Sequence, residues 1–232
     1  MDLPHIDLPN IAANTPLWLA LLTTFVAALS GAILGRQPSR VSYDFVGVVV
    51  FAFVLGLGGG ITRDVLLGNL PPLALRSAWY IVTVLAAVVT VLAVGRWIRV
   101  GSWTFILLDA LALGLYAVIA AQLAIEFGLP DIGAITVGAL AAVTGGAVVS
   151  LLRGETPQIL LPSQPYALLA VIGATVYVLL DQFSGGLAAL ACLLSVITVR
   201  VITVRWDLQT RSVRPLPPDG SGGAEETPTD DR

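Results

Sequence analysis

Lysine is absent from this sequence, and all twelve basic residues are arginines. Charged residues of either sign make up only 12% of the 232 positions, about half the share that a soluble domain carries. An ordinary cytosolic enzyme is therefore excluded. The formal charge of −3 is spread without a basic stripe, so nucleic acid is not an expected partner. The single histidine, His5, lies near the N-terminus. Histidine metal clusters and histidine proton relays are excluded by count, and no metal or other cofactor is expected. Cys192 is the only cysteine and stands inside an apolar run, where it has no internal disulfide partner. No catalytic constellation of paired carboxylates, histidine or cysteine lies within the apolar runs, which argues against an enzyme.

What the sequence does have is apolar length, with 56% hydrophobic residues. A bilayer-crossing helix needs about 20 residues, and runs of that order fall at about 17–35, 45–68, 77–95, 103–125, 132–152, 165–181 and 185–204. The expected fold class is an all-α integral membrane protein with seven transmembrane helices. Barrel strands are about 10 residues of alternating polarity, and these runs are longer and continuously apolar. Asp2 and Asp7 stand where a cleavable signal would place positive charge, so the first run reads as a retained span. Tryptophan prefers the headgroup level, and all five fall at predicted interfaces: Trp18, Trp79 and Trp103 open the first, third and fourth spans, while Trp97 and Trp206 close the third and seventh.

Alternating loops place Arg36, Arg40, Arg96, Arg99, Arg153, Arg200, Arg205, Arg211 and Arg214 on one side and only Arg63 and Arg76 on the other. The positive-inside rule then sets the N-terminus outside and the C-terminus in the cytoplasm. The domain reading is an external leader over 1–16, a membrane domain over 17–205 and a disordered cytoplasmic tail over 206–232, rich in Pro, Gly, Asp and Glu.

The chain repeats internally. The shift that carries Gly47 onto Gly133 also superposes Gly59 on Gly145, Gly60 on Gly146, Leu66 on Leu152, Gly68 on Gly154, Pro71 on Pro157, Leu75 on Leu161 and Tyr80 on Tyr166. Repeat one covers about 17–95, repeat two about 103–181, and the seventh helix about 185–204. Each unit holds three spans, an odd number, so the second copy is expected upside down relative to the first.

Gly58, Gly59 and Gly60 in the second span match Thr144, Gly145 and Gly146 in the fifth. Glycine lowers helix stability by about 1 kcal/mol, and irregular backbone at membrane depth survives only where protein or a wet cavity satisfies it. These helices are therefore expected to break at their glycines and line a path; close packing of small residues is the simpler alternative. Arg63 and Asp64 follow the first cluster at once. Neighbouring helical residues point about 100° apart, so each is expected to find a different partner. Their repeat-two counterparts are Val149 and Ser150, with Arg153 one turn further on. Asp109 lies about 9 Å into the fourth span, on the side of Arg153, its expected neighbour; bonding to an adjacent helix is the alternative. Arg200 and Arg205 are expected to snorkel to the cytoplasmic interface.

The segment Gly58-Gly59-Gly60-Ile61-Thr62-Arg63-Asp64-Val65-Leu66-Leu67-Gly68, followed by Pro71, resembles the signature of a prokaryotic membrane family named for its glycine-transporter domain, whose members include relatives of the trimeric intracellular cation (TRIC) channels. Ser30-Gly31 and Asp109-Ala110-Leu111 support the likeness, which spans roughly 17–205. It implies seven helices in two inverted three-helix repeats plus a seventh. It also implies a homotrimer with a pore in every protomer, and potassium and sodium permeation past the second and fifth helices. Thr144, Val149 and Ser150 depart from the pattern, in which the second repeat often carries its own Gly-Gly-Gly and Arg-Asp. No lysine is available for a lysine-dependent gate.

Three functions remain open at this point: a monovalent cation channel, which the resemblance favours; a secondary transporter of a small amino acid such as glycine, whose carboxylate an arginine beside a helix break would suit; and a scaffold that transports nothing. The expected partners are monovalent cations, membrane lipids and two further copies of the chain, in a prokaryotic inner membrane.

Overall fold

The computed structural model describes residues 16–37, 42–94, 102–160 and 165–208. The N-terminal leader with Asp2, His5 and Asp7, the residues Arg40, Arg96, Trp97, Arg99, Arg211 and Arg214, and the acidic tail from position 209 lie outside the described residues.

Eight α-helices follow one another among the described residues: α1 (Leu17–Arg36), α2 (Phe45–Leu66), the single turn α3 (Leu73–Arg76), α4 (Ala78–Val94), α5 (Trp103–Glu126), α6 (Asp131–Leu152), α7 (Tyr166–Asp181) and α8 (Gly185–Arg205). By length and composition α1, α2, α5, α6 and α8 can cross a membrane, whereas α4 and α7 are apolar but shorter, at 17 and 16 residues. The starts are set by local chemistry. Asp44 caps α2 by accepting from the Gly47 amide at 2.9 Å, and Ser102 caps α5 by accepting from the Phe105 amide at 3.3 Å, each satisfying a donor that the first turn leaves without an intrahelical partner.

The ends of α2 and α6 are built alike. Gly68 and Gly154 both adopt φ +68°, the left-handed region that only glycine enters without strain. Gly68 N donates to Val65 O and Asn69 N to Asp64 O; at the shifted positions Gly154 N donates to Leu151 O and Glu155 N to Ser150 O. The same paired C-terminal cap also closes α5 at Gly128 (φ +76°), where Gly128 N donates to Ile125 O and Leu129 N to Ala124 O; in α2 and α6 it falls at the places where the sequence repeat superposes.

Glycine positions show how the helices run. A side chain at Gly56 would meet Ala28 at 2.9 Å, one at Gly31 would meet Phe51 O at 2.3 Å, and one at Gly35 would meet Val48 at 2.9 Å. Rising numbers on α1 face falling numbers on α2, so the two are antiparallel, at a separation only small residues permit. At the centre lies α5, buried without interruption from Ala112 to Ala121, the pattern of a helix surrounded by others. The perimeter is apolar instead: Trp18, Trp79, Ile132, Val89, Leu179 and Phe183 are exposed. Such a surface suits hydrocarbon rather than water.

Candidate functional site at the crossing of α2 and α6

The glycine clusters do not break their helices. Both α2 and α6 are continuous α-helix through Gly58–Gly60 and through Gly145–Gly146, without the expected break. The glycines act through what they omit. A Cβ on Gly58 would lie 3.2 Å from Gly145 Cα, one on Gly59 would lie 2.6 Å from Ala141 O and 2.9 Å from the Tyr116 ring, and one on Gly145 would lie 3.1 Å from Leu55 O. The two backbones therefore cross in near contact. The last glycine of each cluster differs: nothing lies within 4 Å of a Cβ at Gly60, and at Gly146 only Leu55 Cδ1 and the Tyr166 hydroxyl come within reach, each at 3.9 Å.

That open side of each cluster faces a cavity. Beyond Gly60 lies one of about 320 Å³, its open mouth included, lined by Thr23, Thr24, Arg63, Tyr80 and Tyr116. Near Gly146 lies a larger one of about 710 Å³, likewise counted with its mouth, lined by Asp109, Ser150, Arg153, Glu155, Tyr166 and Arg200. A third space of about 280 Å³ adjoins the large cavity through Leu55, Asp109, Gly146 and Tyr166 and reaches Gly59 and Tyr116. Tyr116 thus stands between the two ends, its hydroxyl donating to Gly56 O on α2. The repeat shift relates the two ends residue by residue: Thr23 to Asp109, Gly60 to Gly146, Arg63 to Val149 and Tyr80 to Tyr166.

The charged groups are paired differently from the expectation. Arg63 and Asp64 do bond each other, with Arg63 Nε donating to Asp64 Oδ1 at 2.8 Å and Nη2 lying 2.7 Å from the same oxygen. The backbone angle between neighbours is overcome by the length of the arginine, which bends back onto the shorter side chain. Asp64 Oδ2 then accepts from the Leu73 amide at 2.7 Å, so one buried carboxylate ties the end of α2 to the start of α3. Asn69, beside them, keeps its buried Nδ2 without a partner.

At the other end, Arg153 does not meet Asp109 in an ion pair, although both line the large cavity. Its Nε and Nη2 donate to Glu155 Oε1 at 3.1 and 2.9 Å, and its Nη1 donates to Leu34 O on α1. The cap at Gly154 turns the chain back and delivers Glu155 to the arginine, which sequence spacing alone does not reveal. Asp109 instead accepts from the Tyr166 hydroxyl at 3.1 Å and lies 3.9 Å from Arg200 Nη2. The alternative reading, bonding to an adjacent helix, holds for α7 through Tyr166, while Arg200 of α8 is a charged neighbour without a hydrogen bond. Arg200 is therefore not a snorkelling residue: it is 7% exposed, whereas Arg205 one turn later is exposed. Burial follows from α8 packing on α5, where Cys192 meets Gly114.

Of the remaining expected site residues, Ser150 lines the large cavity with its hydroxyl donating to Gly146 O at 3.0 Å. The Thr144 hydroxyl donates back to Leu140 O at 2.6 Å and lines none of these three cavities. Sequence reasoning did not single out Tyr116, Thr23 or Tyr80. The last two were within reach, since the repeat shift places them opposite Asp109 and Tyr166; Tyr116 carries no such signal.

The profile of a family described as "Glycine transporter" matches residues 17–96 and 106–182. A UPF0126 membrane protein of Deinococcus radiodurans is 36% identical over 169 residues, 72% of this chain and 77% of the relative. The UPF0126 inner membrane protein YadS of Escherichia coli (strain K12) is 28% identical over 196 residues, 83% of this chain and 93% of the relative. Among solved structures, a TRIC cation channel studied for the basis of its conductance superposes with a TM-score of 0.75 at 28% identity, over 88% of this chain and 99% of its own. The TRIC trimeric intracellular cation channel orthologue from Rhodobacter sphaeroides does so with a TM-score of 0.75 at 29% identity, over 83% and 98%.

Proposed function

Given that the chain belongs to the glycine transporter family of membrane proteins, we propose that it is a monovalent cation channel of a prokaryotic inner membrane, passing potassium and sodium through a path within each protomer of a homotrimer. The observation that carries this reading is the pair of cavities on either side of the α2–α6 crossing, one reached by Thr23, Thr24 and Arg63 and the other by Asp109, Ser150 and Arg153, divided by Tyr116. A channel needs a continuous wet route with weak sites along it. On this reading the two cavities are half-routes, and one aromatic side chain with its bond to Gly56 separates them.

The proposed architecture is seven spans: α1, α2 and α4 as repeat one, α5, α6 and α7 as repeat two, inverted with respect to the first, and α8 as the added helix. The 17 residues of α4 cover about 25 Å at about 1.5 Å per residue, close to a hydrocarbon core of about 30 Å, and modest thinning closes the difference. The correspondence of positions between the two cavities, Thr23 with Asp109, Gly60 with Gly146 and Tyr80 with Tyr166, supports the repeat. Gly59, Gly60, Arg63, Asp109, Gly145, Gly146, Ser150 and Arg153 are the proposed path residues, with Tyr116 as the barrier; Gly58 and Asp64 line none of the three cavities and support the path from behind. The structural relatives are channels and support a function other than catalysis.

A second reading draws on the same division. Two cavities on either side of a closed barrier also suit alternating access, and the family's description names glycine. Purified protein in planar bilayers under a potassium gradient, compared with radiolabelled glycine uptake into liposomes, separates the two. The expected result is unitary cation current without saturable glycine uptake; saturable uptake without unitary current would replace the channel by the transporter.

A further inference from the structure

Three arginines are buried among the described residues, and two of them are locked. Arg63 is fixed by Asp64, and Arg153 by Glu155 and the Leu34 carbonyl. Arg200 is not. Its nearest carboxylate oxygen, Asp109 Oδ2, lies 3.9 Å from Nη2, beyond hydrogen-bond range, and its Nε and Nη1 are buried without a partner. The guanidinium carbon sits 5.5 Å from the centre of the Tyr166 ring, within the range of a cation–π attraction. A buried, incompletely bonded guanidinium is costly. Charge draws it toward Asp109, but no hydrogen bond among the described residues holds it there.

Asp109 is equally unusual among the carboxylates at or beside the two cavities. Asp64 is closed off by Arg63 and the Leu73 amide, and Glu155, half-exposed at the large cavity, is held by Arg153. Among the described residues Asp109 alone has an oxygen, Oδ2, whose only charged neighbour is the loosely placed Arg200. With both arginines in place the charges lining the large cavity, Asp109, Glu155, Arg153 and Arg200, cancel. With the Arg200 head group withdrawn, one negative charge is left facing the cavity.

We propose that Asp109 is a monovalent-cation site and that Arg200 is its tethered occupant, a built-in competitor that a permeating cation displaces. This rests on the channel reading and adds to it a residue of α8, the helix outside both repeats. A bound guanidinium and a potassium ion are alike in charge, so each excludes the other from one carboxylate. Among the described residues the displaced side chain breaks no hydrogen bond; it gives up only its 3.9 Å approach to Asp109 Oδ2 and its 5.5 Å approach to the Tyr166 ring.

Recordings from trimers in planar bilayers at low potassium test the idea, with soluble guanidinium ion as the probe. Arg200→Ala is expected to raise the current several-fold and to become sensitive to added guanidinium, which takes the place of the missing side chain. Wild-type current should be unaffected by the same addition. Arg200→Ala combined with Asp109→Asn should lose both the rise and the block. Arg200→Met, which keeps the apolar stem, serves as the second variant and should behave as Arg200→Ala does. Wild-type current with no change in either Arg200 variant, or guanidinium block equal in wild type and variant, would overturn the tethered competitor and leave the channel standing. Assembled wild-type trimers that carry no cation current would overturn the channel and the competitor together.

Discussion

Arg63 and Asp64 show how a residue pair can be visible in the sequence while its partnership is not. The adjacency of two ionisable groups inside an apolar run marked the site, but helical geometry argued against a bond between them, and only the reach of the arginine side chain reverses that. Because both are buried, the pair is a mutual requirement: removing one partner of a buried ion pair costs about 3–5 kcal/mol, whereas replacing both is far less damaging. Arg63→Gln and Asp64→Asn are therefore each expected to lower the thermal stability of the purified protein sharply, and the double substitution to recover most of the loss. Additive losses in the double variant would mean that the two side chains act separately. At Asp109 the sequence identified the residue and missed the partner, since Arg200 stands only five positions before Arg205 near the helix end and its burial depends on how α8 packs. Tyr116 had no sequence signal because an aromatic residue in an apolar run is ordinary. On the channel reading its bond to Gly56 O holds the proposed barrier in place, so Tyr116→Phe, which removes the hydroxyl and keeps the ring, is expected to raise open probability several-fold in bilayer recordings. An unchanged open probability would show that this bond does not hold the barrier shut.

For the helices, length and hydropathy locate nearly every element, and the expected boundaries of the long helices differ from the observed ones by a residue or two. The exception is the meaning of the glycines. Sequence composition cannot distinguish a glycine that lets a helix break from one that lets a second helix approach, because both require only the absence of a side chain. The structure separates them by position within one cluster. At Gly59 a Cβ would stand 2.6 Å from Ala141 O, while at Gly60 it would meet nothing within 4 Å. Gly59→Ala is therefore expected to push α2 and α6 apart and destabilise the fold by about 1–3 kcal/mol. Gly60→Ala should leave it as stable or up to about 1 kcal/mol more so, from helix propensity, while narrowing the smaller cavity and lowering conductance. Thermal melts alongside bilayer currents check both; equal stability of the two variants would show that the crossing is looser than the backbone distances imply. The shared caps at Gly68 and Gly154 were legible as matched glycines, and their left-handed backbone explains why the match falls there.

At the scale of the whole molecule, the sequence repeat becomes a relation between two cavities rather than between two lists of residues. Thr23, Arg63 and Tyr80 occupy one end, and Asp109, Val149 and Tyr166 occupy the other. The repeat is thus chemically lopsided: one end carries a locked ion pair, the other a carboxylate with a loosely held arginine. The central claim is that these cavities are two halves of one path, opening to opposite sides of the membrane and meeting at Tyr116. Single cysteines at Thr24 and Ser150 test it most directly, since the native Cys192 is buried and can be replaced in the background. A charged, membrane-impermeant thiol reagent applied from one side at a time should modify Thr24→Cys only from outside and Ser150→Cys only from the cytoplasm, and should change the cation current in both cases. Modification of both from the same side, or modification that leaves the current unaltered, would contradict a single path through the crossing of α2 and α6.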